Sequence, residues 1–170
     1  HVRSRRQRQM CIRDSYGPIV HHGLAQDYPL RAANLDRAEI MAIYRQQPLL
    51  RGKASTATAV QEPLLAQIRE SHCDKLPISQ LPAMLAVQQQ RDRRMAEQLL
   101  QAPLPAMLLA GAYHVRQDLG VPLHLRDLGA PSSTQVLILS EVGKPVTAEQ
   151  ADYVWYTAAL PPEDHCAQFR

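Results

Sequence analysis

The sequence predicts an α/β fold, a mostly parallel sheet flanked by helices. Three features carry that expectation. The apolar run Leu104 to Ala110 has the length of a strand and empties into Gly111-Ala112-Tyr113-His114-Val115-Arg116-Gln117-Asp118, which gathers ionisable groups where a buried strand would emerge. The stretch from Pro82 to about Gln101 has no glycine or proline after its first residue and reads as the longest helix. Strand-like and helix-like segments alternate along the chain, the pattern of a sheet with helices on its faces. In an open sheet of this kind ligands bind beyond the carboxyl ends of the strands. The site is therefore expected at the ends of the first and second strands.

In chain order, Tyr16 to Gln26 has a short helical pattern and Tyr28 to Ala33 reads as a strand. Asp36 followed by Glu39 is a capping-box spacing that opens a helix to about Gln46. The small and polar run Gly52 to Thr58 is expected to be a linker, after which Pro63 would serve as a first-turn residue for a helix through about His72. Pro77 breaks the chain before the long helix. Tyr113 to Leu119 is expected as a short helix, Thr134 to Leu139 as a strand, and Tyr153 to Thr157 as an edge-like last strand. No internal repeat or low-complexity segment is present.

Residues 1–14 stand apart. Val2 to Asp14 holds five arginines with no lysine or glutamate and no apolar periodicity, and it resembles translated sequencing-adapter DNA. It is read as a non-native, disordered head, with one domain from 15 to 170. The formal net charge of +3 then divides into +4 from the head and −1 from Ser15 to Arg170. A nucleic-acid partner is not supported, because no basic stripe with interleaved aromatics occurs outside the head. The remaining ~155 residues suffice for one core. No run approaches the roughly 20 apolar residues of a spanning helix. Outside the head, Cys73 and Cys166 lack a C-x-x-C spacing. Two unpaired thiols are the expected default, with a single bridge as the alternative in an oxidising compartment.

The long helix carries the least obvious signal. At about 100° per residue, Leu81, Met84, Leu85, Met95, Ala96 and Leu99 share one side, and Gln90, Arg93, Arg94 and Glu97 face away. Gln88 and Asp92 fall inside the apolar stripe. A buried carboxylate or amide without a partner costs several kcal/mol, so each needs a hydrogen bond, a cation or a ligand. Arg91, at the stripe's edge, is the nearest cation. The competing explanation is that both side chains bond the backbone of a neighbouring loop. His114 is a candidate ligand or a turn-tying residue, and Tyr113 a candidate ligand or an edge cap with its hydroxyl in water. His21, His22, His124 and His165 show no paired partner at ligand spacing.

Taken together, RAANLDRAE (Arg31 to Glu39), SHC (Ser71 to Cys73), the helix pattern Met84, Gln88, Arg91-Asp92 and Met95, AGAYHVRQDLGVP (Ala110 to Pro122), DYVWYT and EDHC resemble the ChaN-like haem-binding lipoproteins of bacteria, in the Tiki superfamily. Their order fits across nearly all of Ser15 to Arg170. Members usually carry a small residue at the position of Tyr113, and they begin with a strand bearing a Gly-Glu-x-His-like motif that this sequence lacks. The resemblance thus implies a carboxy-terminal fragment whose fold is incomplete at the amino end.

It further implies haem binding in bacterial iron and haem uptake, a homodimer that holds haem between subunits, and a periplasmic or outer-membrane location through a lipid anchor lost from this chain. Haem iron accepts His or Tyr, and propionates accept Arg, Lys or His donors. The cofactor-site candidates are His114, Arg116, Tyr113, Gln88, Asp92, Asn34 and His72, with His114 the candidate for the metal and Met84, Met95 and Leu99 an apolar wall. No catalytic residue is assigned. The alternative is the remnant of a metal-dependent hydrolase of the same superfamily, in which Gly111-x-x-His114 would be one half of a site. Without the other half a three-ligand metal site cannot be assembled.

Overall fold

The computed structural model describes residues 16–131, 133–161, 164, 166 and 167. The adapter-like head and His165 lie outside the described residues. The chain separates into two units, 1–32 and 33–170. In the first, helix α1 covers 16–25 and ends in a turn that Tyr28 closes by donating its N–H to the Gly23 carbonyl, 2.9 Å away. Asp27 takes the left-handed conformation there, φ 54°. Residues 28–33, expected as a strand, are irregular. The β-compatible residues Tyr28 and Leu30 gain no ladder partner, and a strand is stabilised by its neighbour more than by its own propensity.

The second unit is built around one helix. In order it holds α2 (Arg37–Gln46), α3 (Thr58–Ser71), a 3-10 turn (Ile78–Gln80), α4 (Leu81–Leu100), α5 (Ala112–Val115), α6 (Val121–Asp127), β1 (Leu137–Glu141) and β2 (Tyr153–Thr157). α4 packs against α2, α3 and α6. The predicted capping box is present: the Asp36 side chain accepts from Glu39 N at 2.8 Å, and the Glu39 carboxylate accepts from Asp36 N at 2.8 Å. α2 ends at Gln47 in the left-handed region.

α3 begins at Thr58, so Pro63 sits inside the helix and not in its first turn. The entry is organised upstream. Thr56 Oγ1 donates to the Gly52 carbonyl, and Gln61 Nε2 donates to the Thr56 carbonyl at 3.1 Å. Gly52 to Thr58 is consequently no loose linker.

Three apolar clusters form the core. Val60 and Leu64 of α3 meet Leu119 and Leu123. Met95 and Ala96 of α4 meet Val121 and Leu125 of α6, with Leu99, Leu108 and Ala110 against them. Val136, Ile138 and Ala151 form the third beneath the strands, with Val115 and Val146. α6 has no counterpart among the predicted elements, although Pro122 at its start and apolar Val121, Leu125 and Leu128 at helical spacing are its signal.

β1 and β2 pair in parallel, with Leu137 opposite Tyr153 and Leu139 opposite Trp155. β1 lies about three residues later than predicted, and β2 is where the sequence placed it. The start of the sheet is pinned by Asp152, whose carboxylate accepts from Val136 N at 2.7 Å and Gln117 Nε2 at 2.6 Å.

The run Leu104 to Ala110, expected as the clearest strand, is not one. Its side chains alternate as in extended chain: Leu108 and Ala110 pack on the α4–α6 cluster, while Met107 and Leu109 point to solvent. Among the described residues no strand pairs with it. The sheet contains only β1 and β2 there, so the extended run has a packed face and no ladder. Cys73 and Cys166 are joined, Cα atoms 5.7 Å apart, which corrects the expectation of two unpaired thiols.

Candidate functional site

The site is a cleft of about 420 Å³ where the end of α3, the middle of α4 and α5 converge. That volume lies in the range of small-molecule sites, roughly 300 to 1,000 Å³. Ile68 of α3 with Met84 and Val87 of α4 supply apolar wall, His72 and Arg91 supply polar groups, and Gly111 to His114 close one side.

His114 is the most constrained group. Its Nδ1 hydrogen-bonds the Oδ1 of Asp92, which is fully buried on α4. An ionised carboxylate only accepts, so in this pair Nδ1 is the donor. The Gln88 amide lies 3.2 Å from the same Nδ1. A nitrogen that donates to Asp92 cannot also accept, so the consistent pattern turns the amide's oxygen toward the ring. Burial pushes the Asp92 carboxyl above the usual carboxylate range, with the His114 hydrogen bond and the Arg91 charge acting against it. The other oxygen, Oδ2, is buried without a hydrogen-bond partner.

His72, at the carboxyl end of α3, follows the same logic. Its Nδ1 donates to the Ile68 carbonyl at 2.7 Å, which fixes the ring on the cleft wall.

The candidate residues divide accordingly. Tyr113, His114, Gln88 and His72 line the cleft. Asp92 lies behind His114, not on the cleft surface. Asn34 reaches the site only through Arg91, whose Nε donates to Asn34 Oδ1 at 3.1 Å. Asp92 is thus bonded by His114 and not, as Arg91's proximity suggested, by that arginine.

Arg116 does not line the cleft. Its guanidinium is engaged by Asp118, Nε to Oδ1 2.8 Å, and lies over the Tyr113 ring at 5.7 Å. The Asp118 hydrogen bond raises its pKa further. Met84 lines the cleft, but Met95 and Leu99 belong to the α4–α6 core. The predicted strand ends are absent, so the site sits at the mouth of the extended run and α5. Among the described residues no group of three or more His, Cys, Asp or Glu side chains converges.

Sequence reasoning missed the α3 wall, Ile68 and Ser71, and the buried amide Gln89, whose Nε2 donates to the Ser55 carbonyl at 2.9 Å. It also passed over His124, which is fully buried on α6.

Fold and site together define a helix-rich α/β protein with an oriented histidine on a small-molecule cleft. The chain belongs to the haem-binding uptake family ChaN of the Tiki superfamily, whose family model matches residues 7–125. A solved structure, described as cofacial heme binding to ChaN of Campylobacter jejuni, is similar to this chain with 36% identity and a TM-score of 0.65. The match covers 72% of this chain and 48% of that one, so this chain spans about half the length of that relative. No curated protein matches the sequence.

Proposed function

We propose that this protein binds haem in the cleft bounded by Gly111 to His114, as a haem-uptake protein of the bacterial cell envelope. The observation that carries the reading is the His114–Asp92 pair. A metal-binding histidine characteristically donates its second N–H to a carboxylate or carbonyl, which fixes the ring, and His114 is so held on the wall of a cleft that carries both apolar and polar side chains. Bound haem would supply an iron that accepts nitrogen or oxygen ligands and two anionic propionates. His114 serves as the iron ligand, with Tyr113 as a neighbouring oxygen donor. Arg91 serves the propionates, and Ile68, Met84 and Val87 face the macrocycle.

The disulfide supports an oxidising compartment, in line with a periplasmic or outer-membrane lipoprotein. Membrane association in this reading runs through a lipid anchor. None of the described helices is long and apolar enough to cross a bilayer. The same reading includes a homodimer, for which the exposed Met107, Leu109 and Tyr113, 82%, 52% and 41% accessible, offer apolar surface next to the cleft.

The test is a haem titration followed in the Soret band, with His114→Ala and Arg91→Ala alongside and sedimentation of the loaded protein. A saturable shift that is lost in His114→Ala and weakened in Arg91→Ala is the expected result. No saturable shift from protein with native circular dichroism would refute the proposal.

A further inference from the structure

The extended run ahead of the cleft has a backbone without partners. Leu108 and Ala110 pack on the α4–α6 cluster while Met107 and Leu109 are exposed, the alternation of a strand with one packed face. Among the described residues, no N–H or C=O from Leu104 to Ala110 enters a hydrogen bond. Pro103 and Pro105 carry no N–H, so the stretch able to form a ladder is Ala106 to Ala110, five residues. β1 and β2 have that same length. Backbone polar groups are obligatory hydrogen-bonding groups, and what matches a row of them at strand spacing is the backbone of another extended segment. Proteins normally blunt such an edge with charges, prolines, bulges or a covering element. Here no Asp, Glu, Lys or Arg occurs between Gln101 and Arg116, and both prolines lie ahead of the stretch.

We propose that Ala106 to Ala110 is a strand-pairing surface whose occupant is the same stretch of a second copy of this chain, antiparallel about a two-fold axis. A segment placed opposite itself in this way is self-complementary, and the two-fold axis closes the assembly at two copies. A ladder is formed by backbone groups, so an identical run fits it, and that run is present at the concentration of the protein itself. The side chains match as well. Met107 and Leu109 of the two copies come together as cross-strand neighbours on the exposed face, where apolar pairs stabilise a ladder. Antiparallel runs point in opposite directions, so the two clefts lie at opposite ends of the paired segment. The inference rests on the homodimer of the reading above and supplies its contact. Its test needs no haem, so it fails separately from haem binding.

The test uses the ligand-free chain. Sedimentation over a concentration series is expected to show a monomer–dimer equilibrium. Hydrogen exchange at both ends of that series is expected to show alternate amides from Ala106 to Ala110, those on the paired edge, protected only where the dimer is populated. Met107→Lys with Leu109→Lys sets like charges opposite one another across the ladder and is expected to weaken dimerisation about tenfold. Met107→Leu with Leu109→Met keeps the apolar pairs and is expected to leave dimerisation unchanged. A chain that stays monomeric throughout the series overturns the proposal. So does a dimer in which these amides exchange as fast as in the monomer, an arm that requires no variant. A Soret titration of the same samples reads haem binding independently of either result.

Discussion

Asp127, the last residue of α6, accepts both the backbone N–H and the hydroxyl of Ser55, at 2.9 and 2.6 Å. Lys53 N and Ala54 N donate to its other oxygen at 2.9 and 2.7 Å. The loop from Gly52 to Ser55 is thus wrapped around a carboxylate more than seventy residues away in sequence. This arrangement ties the entry of α3 to the end of α6, the two helices of the first apolar cluster.

The first prediction follows from that charge. Burial acts to raise the Asp127 pKa, but the Ser55 hydroxyl and the three N–H donors overcome it and hold the carboxyl at about 2, against an ordinary 3.8. A depressed carboxylate contributes stability above its unfolded pKa and loses it as pH falls through the folded one. Asp127→Asn should therefore lower stability by about 2 kcal/mol at pH 7. The difference from wild type should persist down to about pH 4 and close toward pH 2. Urea midpoints across that range provide the check, and a constant difference would remove the charge from the explanation.

What could be read from the sequence follows the range of the interactions. The Asp36–Glu39 box and the span of α4 are set by neighbours within a few residues, and their patterns are visible in the sequence. Leu104 to Ala110 has the composition of a strand, but a strand needs a partner, and that partner is not a local property. Gly52 to Thr58 looks like a linker because its purpose is Asp127. In the site, Asp92 announced itself as a buried charge in need of compensation, and His114 as a group at the end of an apolar run. Nothing in either segment gave their hydrogen bond. Arg116 looked available because its engagement with Asp118 depends on side-chain rotamers.

Gly120 provides a link between fold and site. A Cβ on Gly120 would lie 2.1 Å from the His114 carbonyl oxygen and 2.6 Å from its carbonyl carbon. Both are backbone atoms, so the clash cannot be relieved by a rotamer change. Gly120→Ala should destabilise the protein by about 1 to 3 kcal/mol and, because the displaced residue is His114, weaken haem binding by more than the loss of folded protein explains. A variant with wild-type urea midpoint and wild-type Soret titration would show that the segment yields freely.

The Cys73–Cys166 bridge closes a loop with a sequence separation of 93 and begins one residue after His72. Cross-links of this kind stabilise chiefly by restricting the unfolded chain, typically by 2 to about 4 kcal/mol. Cys73→Ser with Cys166→Ser should lower the urea midpoint accordingly, and wild type under reductant should follow the double variant. A midpoint insensitive to reductant in wild type would mean that the bridge contributes nothing to stability.

His124 gives the second pH signature, opposite in range to Asp127. Burial is the main cause that lowers its pKa from 6.5 to about 4, with the Arg93 charge acting the same way and Asp127 opposing. Its Nδ1 has no hydrogen-bond partner, so the ring sits in the core as a neutral group. Between those two values the unfolded chain binds a proton that the native protein does not, so stability must fall as pH drops. The contribution is complete above pH 6.5, declines toward pH 4, and amounts to about 3 kcal/mol in full. Asp92, whose pKa is raised, acts with the opposite sign, so the informative quantity is the difference between wild type and His124→Leu. That difference should shift in favour of the variant as pH falls from 7 to 4.5, read as urea midpoints at three or four pH values. A difference independent of pH would place the proton on His124 in the folded state as readily as in the unfolded one.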